Sequence, residues 1–208
     1  MKLFRGRWIL LSIALYSSLA FVYSELDGSF HYDKQVYGVT RQNSTMERTW
    51  AGSLATYFTS NFAFEINYTH SQNVTTEHEN IPVSGTTAVV DSTQNRVINI
   101  VYGAGIRWLM TSRQSRIRPH ISMGYATQEV ESATDYTFRD TDSGTTYPTL
   151  TTPVEKQRIK SVFGAFALQV GITQYFAIKG SIQTVFEAFK TEKARDNLKY
   201  MVGLTWIF

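Results

Sequence analysis

Cysteine is absent from the sequence, which excludes a disulfide scaffold, a thiolate zinc site and a thiol nucleophile. Beyond the first 24 residues there is also no run of 18 apolar residues, so the chain has no candidate membrane-spanning helix there. Nor does any long stretch keep a helical period. The stabilising principle of this chain is therefore neither covalent cross-links nor packed helices.

A surplus of positive charge is missing too, once the N-terminus is set apart. Lys2, Arg5 and Arg7 precede an apolar run from Trp8 to Val22, the pattern of a secretory leader too short to span a bilayer comfortably. Residues 1–24 read as this leader, with cleavage expected after Ser24 or after Ala20, and residues 25–208 as one domain. The leader holds three of the 20 Lys and Arg, which leaves 17 bases against 17 acids and removes any reason to expect nucleic acid as a partner. The sequons at Asn43, Asn67 and Asn73 are expected by chance in a Thr-rich chain.

What is present is a two-residue alternation, seen most plainly in the last residues, KYMVGLTWIF. Tyr200, Val202, Leu204, Trp206 and Phe208 share one parity. The same pattern sets Phe62, Phe64, Ile66 and Tyr68 against Ala63, Glu65, Asn67 and Thr69. It also sets Ile98 to Trp108 against Asn99, Gly103, Gly105 and Arg107. With similar stretches around Trp50, Ile121, Phe166 and Ile178, eight two-faced strands are expected, the first around Phe30 to Thr40 and the last around Leu198 to Phe208.

Short connections at 60–61, 112–115 and 173–175 alternate with long polar ones expected over 74–93 and 131–155. Short turns at one end and long loops at the other are the pattern of an up-and-down transmembrane β-barrel. A soluble sandwich or lipocalin-like barrel would also alternate, but its polar face would carry many Lys and Glu. Here the polar parity is Gly, Ala, Ser, Thr, Asn and Gln with single charges, and the apolar parity is almost charge-free, Lys34 excepted. Two aromatic groups bracket the strands. Phe58, Phe62, Phe64, Trp108, Phe176, Trp206 and Phe208 lie near the short turns, and Trp50, Tyr68, Phe186, Phe189 and Tyr200 nearer the long loops.

The terminal Tyr200-x-Val202-x-Leu204-x-Trp206-x-Phe208 resembles the C-terminal assembly signal of small Gram-negative outer-membrane barrels, the OmpA-like, OmpX-like and OmpW-like families. The run from Arg118 to Tyr125, RPHISMGY, is similar to a strand common among them. The resemblance implies an all-β, eight-stranded antiparallel barrel in the outer membrane, monomeric, with both termini periplasmic and the long loops extracellular. It implies as partners the barrel-assembly machinery and outer-membrane lipid with lipopolysaccharide. It implies no cofactor and no metal. A structural envelope role is expected; a narrow OmpW-like pore for small or hydrophobic solutes is the alternative.

Three groups of residues could carry chemistry. Glu65, Arg107, Arg118 and Lys179 fall on the polar parity near the short turns, where they would form a lumen charge network with positive charge in excess. Glu65 and Arg107, on neighbouring strands, are the expected ion pair. His120-Ile121-Ser122 is similar to the His-x-Ser pair of lipid A deacylases, but its lumen-facing parity and the lack of an acid at matching spacing favour a hydrogen-bonded histidine. Asp140-Thr141-Asp142-Ser143-Gly144 has a faint calcium-loop pattern without the closing glutamate and reads as a surface turn.

Overall fold

The computed structural model describes residues 23–188 and 197–208. Ten strands are present among them: β1 Tyr23–Tyr37, β2 Asn43–Tyr57, β3 Phe62–Glu77, β4 Ile81–Pro82, β5 Ala88–Leu109, β6 Ile117–Asp140, β7 Leu150–Thr151, β8 Glu155–Gly171, β9 Phe176–Glu187 and β10 Lys199–Ile207. Eight of them form a closed antiparallel ring in the order β1-β2-β3-β5-β6-β8-β9-β10, and β10 pairs back onto β1. The seam is sealed at its end by mutual backbone bonds, Ser24 N to Phe208 O at 2.9 Å and Phe208 N to Ser24 O at 3.0 Å.

Closure pairs every ring strand on both sides through the lower part of the barrel, and this lets the sheet turn its apolar parity to lipid. Trp50, Phe64, Tyr125, Tyr200, Val202 and Leu204 are all exposed on the outside. Aromatic contacts gather at two levels. Phe58–Phe64, Phe62–Trp108 and Trp206–Phe208 lie by the short turns, and Phe30–Trp50 and Tyr68–Tyr102 lie further up. Lys34 stays on the outward parity of β1, beyond Tyr32 and towards the long connections. The result is a transmembrane β-barrel of the outer-membrane type.

Two boundaries differ from expectation. The first strand starts at Tyr23, not near Phe30, because Tyr23, Glu25 and Asp27 alternate with Ser24, Leu26 and Gly28, and the segment pairs with β2 from Tyr23 and with β10 from Glu25. A cut after Ala20 would leave β1 whole, whereas a cut after Ser24 would remove its first two residues. The rest of the expected leader, and Phe189, lie outside the described residues.

The expected long loops are also largely strand. β5 and β6 pair as far as Ala88↔Asp140, and β4 and β7 add to their outer edges. At about 3.4 Å per residue the 24 residues of β6 would extend about 80 Å, although a barrel strand needs only about 9–11 residues to cross a bilayer. The sequence there is largely polar, with Val89 and Ala133 as buried apolar residues, and Thr, Val and Tyr favour the extended backbone.

Inside the barrel, glycines bring backbones together. Gly105 and Gly124 lie opposite each other, and a Cβ on Gly124 would meet Ala104 O at 2.2 Å and the Phe163 ring at 2.7 Å. Gly124→Ala is expected to destabilise the barrel by about 1–3 kcal/mol through forced backbone movement, measured by denaturant unfolding in detergent or lipid. Gly180→Ala, where a Cβ would meet nothing within 4 Å, serves as the neutral control.

Candidate functional site: the charged plug of the lumen

The inward parity of the lower barrel converges on one guanidinium. Arg107, on β5, is fully buried. Its Nε donates to Glu65 Oε2 at 2.8 Å, Nη1 to Glu25 Oε2 at 3.0 Å, and Nη2 to Asp27 Oδ2 at 2.6 Å and Ser53 Oγ at 2.9 Å. A planar, permanently charged fork suits this task, since its donors diverge in one plane towards separate acceptors.

Two further cations complete the group. Lys179 Nζ donates to Asp27 Oδ2 at 2.7 Å, and Arg118 Nη1 reaches Glu25 Oε1 at 3.4 Å and the Tyr23 hydroxyl at 2.6 Å. Three carboxylates thus face three cations, so the plug has no excess of positive charge. Hydroxyls and an amide fill the remaining positions. Thr205 donates to Asp27 Oδ1, Ser122 to Glu65 Oε2, and Gln169 Nε2 to both Glu25 and Thr205. Arg118 is the least satisfied member, since its Nε and Nη2 are buried without a protein partner.

Sequence reasoning placed Glu65, Arg107, Arg118 and Lys179 in one band, and all four are brought together here. It missed Glu25 and Asp27, because the first strand was sought around Phe30 and a cut after Ser24 put Glu25 at the chain's start. The signal was present: Glu25, Asp27, Ser29 and His31 alternate with Leu26, Gly28, Phe30 and Tyr32. Two acids on the polar parity are also what three interior cations and one glutamate require for neutrality.

Below the plug, towards the short turns, Tyr57, Leu109, Ala55 and Ala63 pack as a buried apolar floor, with Tyr23 against it. Arg113, from the turn between β5 and β6, closes this floor. Its guanidinium lies 5.0 Å from the Tyr23 ring and 4.9 Å from the Tyr57 ring, and it donates to the carbonyls of Ser60 and Thr59.

His120 and Ser122 both point inward and are buried. An acid does lie near them, Glu65 on β3, one strand beyond β5, but it accepts from Ser122 at 2.5 Å, and His120 Nδ1 has no protein partner. The carboxylate therefore holds the serine rather than orienting the imidazole, which is not the nucleophile–base–acid order that acyl transfer needs. Asp140 forms a turn instead of a cation loop: Oδ1 accepts from the backbone of Asp142 at 2.8 Å and Ser143 at 3.3 Å. These amides hold its carboxyl below the usual carboxylate range. Among the described residues no group of three His or acidic side chains is placed to hold a metal ion. Tyr200, Val202, Leu204, Trp206 and Phe208 line the outer face at the seam, all exposed.

No protein-family model matches the chain, and no curated protein sequence does. Among solved structures it is similar to the N-terminal β-barrel domain of Pseudomonas aeruginosa OprF, with 13% identity over 90% of this chain and 97% of that one and a TM-score of 0.48. It is similar also to Ail, the attachment invasion locus protein of Yersinia pestis, with 11% identity over 90% and 98% and a TM-score of 0.46. A third is Neisserial surface protein A, with 11% identity over 89% and 97% and a TM-score of 0.43.

Removing one partner of a buried ion network leaves its counter-charges unpaired. Arg107→Gln is expected to cost about 3–5 kcal/mol, and Glu65→Gln less, since its amide oxygen can still accept from Arg107 Nε. In a double-mutant cycle of unfolding free energies the double variant should lose clearly less than the sum of the singles. Strict additivity would show that the two side chains do not interact.

Proposed function

We propose that this chain is a non-conducting, non-enzymatic integral barrel of the Gram-negative outer membrane, a structural envelope component whose working surface is the set of tall hairpins at one end. The observation that supports this most is the lumen: a balanced ion plug backed by an apolar floor and capped by Arg113 leaves no aqueous route along the axis. A narrow pore would need one of these three layers to open.

The orientation we propose, with the hairpins outside the cell, is supported by the outward face just beyond the upper aromatic level. Lys34, Arg48, Arg96, Lys156, Arg158 and Lys160 all have outward parity there, beside the acids Glu129 and Glu131, which pair with Arg158 and Lys156. On β1, β2 and β3 the acids Asp33, Glu47 and Glu77 have inward parity instead. A belt of cations at the edge of the hydrocarbon favours anionic headgroups at the hairpin end. That fits the leaflet of lipopolysaccharide, with termini and short turns in the periplasm. We read the chain as a monomer, and the terminal aromatic strand as its handle for the barrel-assembly machinery.

Three experiments bear on this. In planar bilayers the purified barrel should show no stable open-channel conductance; a persistently open channel would overturn the sealed reading. Cysteine at Ser84, between β4 and β5, should react with impermeant thiol reagents on intact cells, and cysteine at Ser112 should react only after the outer membrane is permeabilised. Deleting Phe208 removes both seam bonds to Ser24 and the ring packed 5.1 Å from Trp206. The amount of membrane-inserted, heat-modifiable protein should then fall, and an undiminished amount would count against the terminal strand as an assembly handle.

A further inference from the structure

Directly above the plug lies a chamber of about 30 Å³, bordered by Glu65, His120, Ser122, Lys179 and several small side chains including Ala165 and Ala167. Four buried polar atoms on its wall have no protein partner: Asn67 Oδ1, Thr69 Oγ1, His120 Nδ1 and Ser181 Oγ. Thr69, His120 and Ser181 are each more than nine-tenths buried. They are not scattered: they come from β3, β6 and β9 and border one space.

The chemistry of this wall selects its occupant. Asn67 Oδ1 accepts hydrogen bonds, the two hydroxyls can donate as well as accept, and His120 Nδ1 donates or accepts according to its tautomer. A molecule with two donors and two acceptors matches such a set, and a chamber of about 30 Å³ accommodates about two water molecules at roughly 10–15 Å³ each. An ion does not match. The plug is already neutral, Lys179 on the same wall repels a cation, and Glu65 repels an anion.

The chamber also has a supply. A second cavity of about 80 Å³ above it shares Thr69, Gln183 and Met201 with its lining, and that cavity in turn shares Ser71, Asn99 and Lys199 with the open mouth at the hairpin end. Below the chamber, the ions and the apolar floor stop the column. We infer that the lumen is a one-sided water well: a short file of ordered water enters from the hairpin mouth, binds at Asn67, Thr69, His120 and Ser181, and ends on the ion plug. This goes beyond the sealed reading, which would hold equally for a dry lumen.

The test uses the full-length barrel in lipid nanodiscs. Water-to-protein cross-relaxation in NMR should reach the His120 ring and the Ser181 hydroxyl, and in Thr69→Val/Ser181→Ala the signal at His120 should be lost while the fold's amide spectrum persists. Absence of any water contact at His120 in a folded barrel would overturn the proposal. Crystals soaked in a thallium salt should show no anomalous peak in the chamber; a peak there would make it a cation site instead. For the supply route, cysteine at Gln183 should be modified by a small water-soluble thiol reagent and cysteine at Ala63, in the floor, should not. Protection at Gln183, or modification at both, would contradict a well open at one end.

Discussion

Every ring strand of this barrel has a side chain in the group around Arg107. β1 supplies Glu25 and Asp27, β2 Ser53, β3 Glu65, β5 the arginine itself, β6 Arg118 and Ser122, β8 Gln169, β9 Lys179 and β10 Thr205. A guanidinium buried this completely has lost its hydration, and that loss is offset only if its donors meet charged acceptors in place. The constraint acts on register. Sliding any ring strand by two residues keeps its apolar parity towards lipid, so the membrane does not resist the slip; it does break this network. The lipid-facing pattern sets which way each strand faces, and the plug sets how far along its neighbour it sits.

The interior composition follows from the exterior. A sheet whose outer parity must be apolar has only its inner parity free to be polar, and in an eight-stranded ring that inner space is narrow. Small residues must therefore dominate it, and at Gly105 and Gly124 even a Cβ would collide with the opposing backbone. Small residues alone would leave voids. Long cations reaching across the axis fill the lower half, Phe163 and its neighbours Val101, Ala126 and Val185 fill part of the middle, and above them the lining is amides and hydroxyls. The upper pair of Lys199 and Glu47, supported by Ser71 and Thr49, repeats the logic of the plug on a smaller scale where the barrel meets solvent.

Legibility in the sequence divides along the same line. Lipid imposes a rule that single residues obey, so the eight strands, the aromatic levels and the closing role of β10 could be read from alternations such as Phe62 to Tyr68 and Tyr200 to Phe208, repeated along the chain. The interior obeys a rule about sums. Glu65 and Arg107 were visible as charges on one parity, but the neutrality of the plug depends on Glu25 and Asp27, which sat beside an expected cleavage site and were assigned to no strand. The hairpins escaped for another reason. Once a strand leaves the bilayer neither face is apolar, so alternation fades from residues 74–93 and 131–155 although the ladder continues. Polarity marks the water boundary, not the end of the sheet.

The plug also decides what the lumen presents towards the hairpin end. All three plug carboxylates are engaged by cations and hydroxyls, Arg118 keeps two buried donors without a protein partner, and the Tyr23 and Tyr57 hydroxyls of the floor donate to Glu25. The hairpins differ in kind. β5 and β6 rise beyond the ring as a paired blade, widened by β4 and β7, with Ile81 and Leu150 exposed on those two short strands and Tyr147 and Val154 beside β7. Their inner ends are fixed by Arg107 on β5 and by Arg118 and Ser122 on β6, so the blade grows out of the most constrained part of the molecule. A projecting sheet rooted this way takes its register from the buried ions at its base. The charge buried at one end of the barrel thus sets the register from which the blade at the other end grows.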